Sequence, residues 1–296
     1  MHLSKLTLLL GGFSMLLAAP YASGVTYAAD DFESYSLGSI DGYNDGTGWN
    51  GAWSAAAGQS VVDVSGNQLT YTVNGGNTLS GGNQSLQLSG TSEYAAYRSL
   101  ADTQAGTIYI SYLMRVDGTT IENNDFASMW LNEPGTQGGM STGFKANNGD
   151  GGGTEDFFIR PYLDGTNAGY AGDVNLGETY LVVAKFDKSA GSSVYDTFSL
   201  WINPDAWDEN NPDAIYEMDS NTSIVDMIGY RSANLDNGTT VLIDNLTSTS
   251  SFEESIGGGV TPTAVPFDPG SSLGLAFVGW FAWRRFKRRL SEKQAA

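Results

Sequence analysis

The sequence predicts an all-β protein: a single antiparallel jelly-roll β-sandwich, flanked by an N-terminal signal peptide and a C-terminal apolar helix. Three observations lead there. Short segments alternate between apolar and polar residues, the period of a half-buried strand. Clusters of Gly, Asn, Asp and Ser separate them, with the turn signals Asp117-Gly118, Asn148-Gly149, Asp164-Gly165 and Asn237-Gly238. The body shows no long amphipathic helix pattern, and many short strands with glycine-rich turns argue for a sandwich.

Taken in order, Met1 to Lys5 is a basic start, Leu6 to Ala19 is apolar, and Ala22-Ser23-Gly24 offers small residues for cleavage. This reads as a secretory signal peptide over 1–24, with Ala29 as an alternative cut. The β-domain is expected over 30–255. It opens on Asp31-Phe32-Glu33, then a turn-rich stretch carrying Trp49 and Trp53. Expected strands follow at Ser60–Val64, Gln68–Val73, Ser85–Leu88, Tyr94–Leu100 and Thr107–Val116. The last is the clearest. Ile108, Ile110, Tyr112, Met114 and Val116 fall on one face, and Tyr109, Ser111, Leu113 and Arg115 on the other. Phe126–Leu131, Gly143–Lys145, Asp156–Leu163, Tyr180–Asp187, Thr197–Asn203, Ile224–Arg231 and Thr240–Leu246 complete the series. A glycine-rich linker spans 256–264.

Composition excludes several functions. The chain has 14 Lys+Arg against 33 Asp+Glu. Seven of those bases and 31 of those acids lie in the body, which leaves it near −24. A surface this acidic repels nucleic acid and tolerates calcium. With no cysteine, disulfides and thiolate chemistry are excluded. The only histidine is His2, in the leader, so the body has no Ser-His-Asp triad and no imidazole metal ligand. Any chemistry falls to carboxylates, amides, hydroxyls and aromatic rings.

At the C-terminus Val265-Pro266-Phe267-Asp268-Pro269 precedes an uncharged apolar run within 270–283 and a basic end over 284–289, with Arg284, Arg285, Lys287, Arg288 and Arg289. The run is short for a free-standing span, but flanking arginines snorkel. Basic residues at one end set the cytoplasmic side. The segment 265–290 resembles the PEP-CTERM sorting signal of Gram-negative bacteria, in the variant where Phe and an acid follow the first proline. The resemblance implies export, transient anchoring in the inner membrane, and recognition by an exosortase-type membrane protease. An uncut C-terminal anchor is the alternative.

The body resembles concanavalin A-like and laminin-G-like jelly rolls through Asp31-Phe32-Glu33, Leu200-Trp201-Ile202-Asn203-Pro204 and Leu242-Ile243-Asp244-Asn245-Leu246. In such folds the first and last strands lie side by side. Strand alternation then puts Asp31 and Glu33 on one face and Phe32 on the other, with the acids facing Asp244. Calcium takes about six to eight oxygen ligands, so Asp31, Glu33 and Asp244 are the candidate ligands of a structural Ca2+. The acidic loop from Asn147 to Asp156 lacks EF-hand spacing. Among the aromatics, Trp130 and Trp201 sit within strands and read as core. Trp49, Trp53, Tyr170 and Trp207 lie in loop-like stretches and are the candidate sugar-stacking residues; Tyr162 belongs to the same set. Glycosidases need two facing carboxylates. The Glu-x-Asp-x-x-Glu and Glu-x-Asp-x-Glu signatures of sandwich glycosidases are absent, and the acids near Glu122 and Asp208 lie in loops. The expectation is therefore not an enzyme. It is an exported cell-surface or matrix protein that binds extracellular polysaccharide or serves as a structural component. The alternative is a secreted glycan-active enzyme with paired carboxylates.

Overall fold

The structure is a computed structural model that describes residues 24–132, 139–146, 156–161 and 168–258. The expected signal peptide and sorting tail lie outside the described residues, and so do Tyr162 and most of the acidic loop after Ala146. Among the described residues no helix is long and apolar enough to cross a membrane.

In chain order the strands are β1 (Thr26–Asp30), β2 (Gly38–Ser39), β3 (Trp49–Ala55), β4 (Gln59–Asp63), β5 (Thr70–Thr72), β6 (Thr78–Ser80), β7 (Gln84–Gly90), β8 (Tyr94–Gln104) and β9 (Ile108–Asp117). Then come β10 (Phe126–Leu131), β11 (Met140–Lys145), β12 (Phe157–Arg160), β13 (Gly169–Ala171), β14 (Thr179–Asp187), β15 (Thr197–Ile202), β16 (Ala214–Glu217), β17 (Val225–Ala233) and β18 (Leu235–Thr249), before a four-residue helix, α1 (Phe252–Ser255). Two antiparallel sheets form an all-β sandwich. The first runs β16-β15-β14-β9-β18-β7-β4-β2, with β1 also on β18; the second runs β13-β12-β11-β10-β17-β8-β3. Consecutive strands cross between the sheets at β2–β3, β3–β4, β7–β8, β8–β9, β9–β10, β13–β14, β16–β17 and β17–β18.

β9 shows how the pattern becomes a core. Ile108, Ile110, Tyr112, Met114 and Val116 face the inter-sheet core. The other face is apolar too, and it is also covered. Tyr109 and Leu113 join Leu181, Val183, Trp201 and Leu242 in a second cluster, under Leu69 and Val73 of the β5–β6 hairpin region and Phe252 of α1. The central strands of the first sheet are thus buried on both faces. Trp201 is core as expected, its indole donating to the Asp208 carbonyl at 2.7 Å.

Three expectations need correction. The domain starts before Asp30: β1 pairs from Thr26 with Thr249 to Asp30 with Leu246, and Val25 exchanges hydrogen bonds with Ser250. It also runs past Ser255, because Asn77 donates to the carbonyls of Gly257 and Gly258. A chain beginning at Asp30 leaves the β18 backbone from Leu246 to Thr249 without its partner. It is expected to be less stable than one beginning at Gly24 by about 2 kcal/mol, at roughly 1 kcal/mol or less per ladder bond, measured by parallel urea melts. Second, Asp31-Phe32-Glu33 is not strand. The Asp30 carboxylate accepts from the Phe32 amide at 3.1 Å, and Phe32 takes φ 57°, which ends β1 in a turn. Third, Asn237-Gly238 is no hairpin turn: it lies within β18, where the register shifts between Leu235 and Thr240.

Candidate functional site

Two places combine unusual chemistry with an arrangement that local sequence does not dictate.

The first is a break in the first sheet. β1 and β7 both pair with the same edge of β18, β1 with Leu246–Thr249 and β7 with Leu235–Ile243. Asp244 and Asn245 fall between them, at a bulge against β9, with Asn245 at φ 48°. The chain leaving β1 and the chain entering β7 meet there. Glu33 accepts from the Gln84 amide at 2.5 Å, and the Gln84 side chain donates to the Glu33 carbonyl at 3.3 Å. Gly81 and Gly82 permit this approach. A Cβ on Gly81 would stand 2.1 Å from Asp244 Oδ2, and one on Gly82 2.5 Å from the Glu33 carboxyl carbon. Asp244 is fully buried, and its Oδ2 has no hydrogen-bond partner. Burial pushes its carboxyl up to about 9, and the charges of Glu33, Asp31 and Asp30 add to the rise. A pocket of about 210 Å³, lined by Asp30, Asp31, Gly46, Thr47 and Asn245 among others, opens beside it.

The three expected ligands are therefore brought to one neighbourhood, but by a turn and a bulge rather than by strand alternation. They do not form a finished cage: among the described residues no group of three or more Asp, Glu, His or Cys closes tightly enough to hold a metal ion. The donor set nevertheless suits a hard cation. It is all oxygen, it is anionic, and it contains an orphaned buried carboxylate oxygen.

The second place is the outer face of the second sheet. The inter-sheet core takes Ala127, Met129 and Leu131 from β10, Met140 and Phe144 from β11, Phe157 and Ile159 from β12, and Ile228 and Tyr230 from β17. Alternation sends their neighbours outward. The register aligns these in cross-strand rows. One row reads Tyr97, Gly229, Trp130, Ser141, Arg160; the next reads Arg231, Ser128, Gly143, Phe158, Tyr170; Phe126 stands opposite Lys145 in a third. The Trp130 ring packs closely against Gly229, where an added Cβ would meet it at 2.5 Å. Its indole nitrogen is buried with no hydrogen-bond partner. Phe126 and Phe158 stack at 5.9 Å, with the Arg160 guanidinium 4.4 Å over Phe158 and that of Arg231 5.0 Å over Phe126. Arg160 also donates to Ser141 Oγ at 3.1 Å. Phe126, Phe158, Trp130 and Arg160 form a buried floor; Tyr97, Lys145, Tyr170 and Arg231 are part-exposed.

The four candidate sugar-stacking residues do not converge. Tyr170 alone belongs to this outer face. Trp53 is core: its ring is 1 % exposed, and its indole donates to the buried Asp30 carboxylate at 2.9 Å. Trp49 is half-buried, donates to the Ala29 carbonyl at 3.0 Å and lies under Arg98 at 5.2 Å. Trp207 is exposed but rests on Gly75 of the β5–β6 turn, on the far side of the sandwich. Trp130 is buried as expected, at 2 % exposure, but on the face of the second sheet turned away from the inter-sheet core. Sequence reasoning missed Phe126, Phe158, Lys145, Arg160 and Arg231. The loop acids serve structure: Asp125 accepts from the Glu122 amide, Asp208 from Asp205, Asp213 from Ile202, and Glu209 from the Tyr109 hydroxyl.

No family model matches the chain, and no curated protein matches it. Among solved structures it is similar to peanut lectin with a 9mer peptide, at 13% identity and TM-score 0.44, covering 78% of this chain and 98% of that one. It is similar to the VIP36 exoplasmic/lumenal domain in its Ca2+/Man-bound form, at 10% identity and TM-score 0.41, over 72% and 91% of the two chains. It is also similar to a mutant of alginate lyase Aly36B in complex with alginate tetrasaccharide, at 13% identity and TM-score 0.39, over 76% and 96%.

Proposed function

We propose that this is an exported surface or matrix protein whose sandwich domain binds glycan, without turnover, on the outer face of the second sheet. One observation carries the reading. That face aligns aromatic rings, serine hydroxyls and cations in register across neighbouring strands, with Tyr97, Lys145, Tyr170 and Arg231 part-exposed over a buried floor that includes Trp130. Flat rings beside hydroxyl-bonding groups hold sugars in shallow sites. The rows contain no Asp or Glu, which favours binding over hydrolysis by paired carboxylates.

A structural Ca2+ at Asp31, Glu33 and Asp244 belongs to the same proposal. It would tie the end of β1, the entry of β7 and the β18 bulge together. Delivery rests on the two ends of the chain. The leader directs export, and the tail from Val265 holds the protein in the inner membrane until an exosortase-type protease passes it to the cell surface or extracellular matrix.

The test is retention on a panel of bacterial and plant polysaccharides, with release of reducing ends followed in parallel. The expected result is retention without product. Tyr170→Ala should weaken it roughly three- to tenfold, the value of one aromatic contact, because its ring is part-exposed on that face. Product release, or retention unchanged in the variant, would contradict the reading.

A further inference from the structure

The start and the end of the body meet at one side chain. Gly24 lies against α1: an added Cβ there would stand 2.1 Å from Ser251 Oγ and 2.6 Å from Glu254 Cγ. Gly258 comes to the same side chain from the other end, where an added Cβ would stand 2.9 Å from Glu254 Oε2. Glu254 is half-buried, yet it makes no ion pair among the described residues. Its backbone N–H donates to Ser251 Oγ at 3.3 Å, and α1 carries Phe252, followed by Ile256, into the second cluster. One residue after Gly24, the Val25 amide donates to Ser250 Oγ at 2.8 Å, and the Val25 carbonyl accepts from the Ser250 amide at 2.9 Å. β1 follows, with Ala28 buried in the inter-sheet core.

We propose that the leader is cut between Gly24 and Val25, and that Glu254 latches the ammonium this cut creates. The proposal rests on the export reading above and specifies the bond and what its new end does. Water adds across the peptide bond: the leader leaves with the Gly24 carboxylate, and the body keeps the Val25 ammonium. Sequence and packing agree on this bond. Ala22 and Gly24 supply the small residues that a leader protease reads before its cut. A cut after Ala29 would remove all of β1 but Asp30 and strip β18 of its partner from Thr247 to Thr249. While the leader is attached, the Val25 nitrogen is an amide with one donor, already spent on Ser250 Oγ. As an ammonium it has three. Loss of Gly24 clears the space it fills against Ser251 and Glu254, and the two new donors face the unpaired carboxylate. The pair joins the start of β1 to α1, the cover of the second cluster, so processing completes the fold at the seam where its two ends meet.

The experiment expresses the full-length chain in an exporting Gram-negative host and sequences the N-terminus of the recovered protein. The expected start is Val25-Thr26-Tyr27. The α-amine is then acetylated selectively, and melting temperatures are compared before and after. Acetylation should lower the melting temperature of the parent by about 2 °C, the value of one partly exposed ion pair. Glu253→Gln should show the same loss, and Glu254→Gln none. A leader left uncut overturns the export reading and the latch together. A cut at another bond, a parent indifferent to acetylation, or an equal loss in Glu254→Gln overturns the latch and leaves export standing.

Discussion

Arg98→Met is expected to destabilise the domain by about 3–5 kcal/mol, the cost of removing one partner from a buried ion pair. Arg98 and Asp30 are each 2 % exposed at the side chain and stand 3.2 Å apart. Asp30 also accepts from the Tyr35 hydroxyl at 2.6 Å and the Trp53 indole at 2.9 Å. Arg98 reaches the carbonyls of Gly51 at 2.7 Å and Asp45 at 2.5 Å, besides the Asn44 side chain. The variant therefore strips a buried carboxylate of its counter-charge and takes a donor from three further acceptors at once. Asp30→Asn keeps an acceptor for Tyr35 and Trp53 and leaves Arg98 its carbonyls. It should cost less, about 1–3 kcal/mol. Urea melts check both, with unchanged slope expected for each. If Arg98→Met melts with the parent, the pair does not hold the segment from Asn44 to Trp53 against β8.

Calcium at about one hundred times its Kd is expected to add roughly 2.7 kcal/mol to stability. For a domain of this size that raises the melting temperature by about 5–10 °C. The gain comes from supplying the counter-charge that Asp244 lacks, between Glu33 and Asp31. Asp244→Asn and Glu33→Gln should each abolish the calcium effect. Magnesium should not replace calcium, because its smaller, stricter octahedral shell fits poorly between a bulge and a turn. Equal melting temperatures in calcium and in chelator would remove the cation from the account.

Much of the fold was legible because strand period is a local property. β9 follows its expected faces residue by residue, and both faces are buried. β10 shows where that signal fails. Phe126-Ala127-Ser128-Met129-Trp130-Leu131 is largely apolar at alternate positions of both phases, so nothing local says that Trp130 points outward while Met129 and Leu131 point in. β3 is masked by the glycines and polar residues of the stretch from Gly42 to Trp53. The indole of Trp53 reads as loop-borne until its partner, Asp30, is seen 23 positions away. Asp31, Glu33 and Asp244 could be grouped because the ends of the chain pair, as β1 and β18 do. The glycines that bring them together could not be weighed, since Gly81-Gly82 looks like any turn. Lys145, Arg160 and Arg231 share a face only through the register of β11, β12, β10 and β17, a non-local property of the sheet.

The central claim is the location of glycan contact, and hydrogen exchange with and without a bound oligosaccharide tests it most directly. Slowed exchange in Phe126–Leu131, Met140–Lys145 and Val225–Ala233 is the expected result. Slowing confined to the Asp31–Asn245 pocket, or to the Trp207 and Gly75 contact, would contradict it.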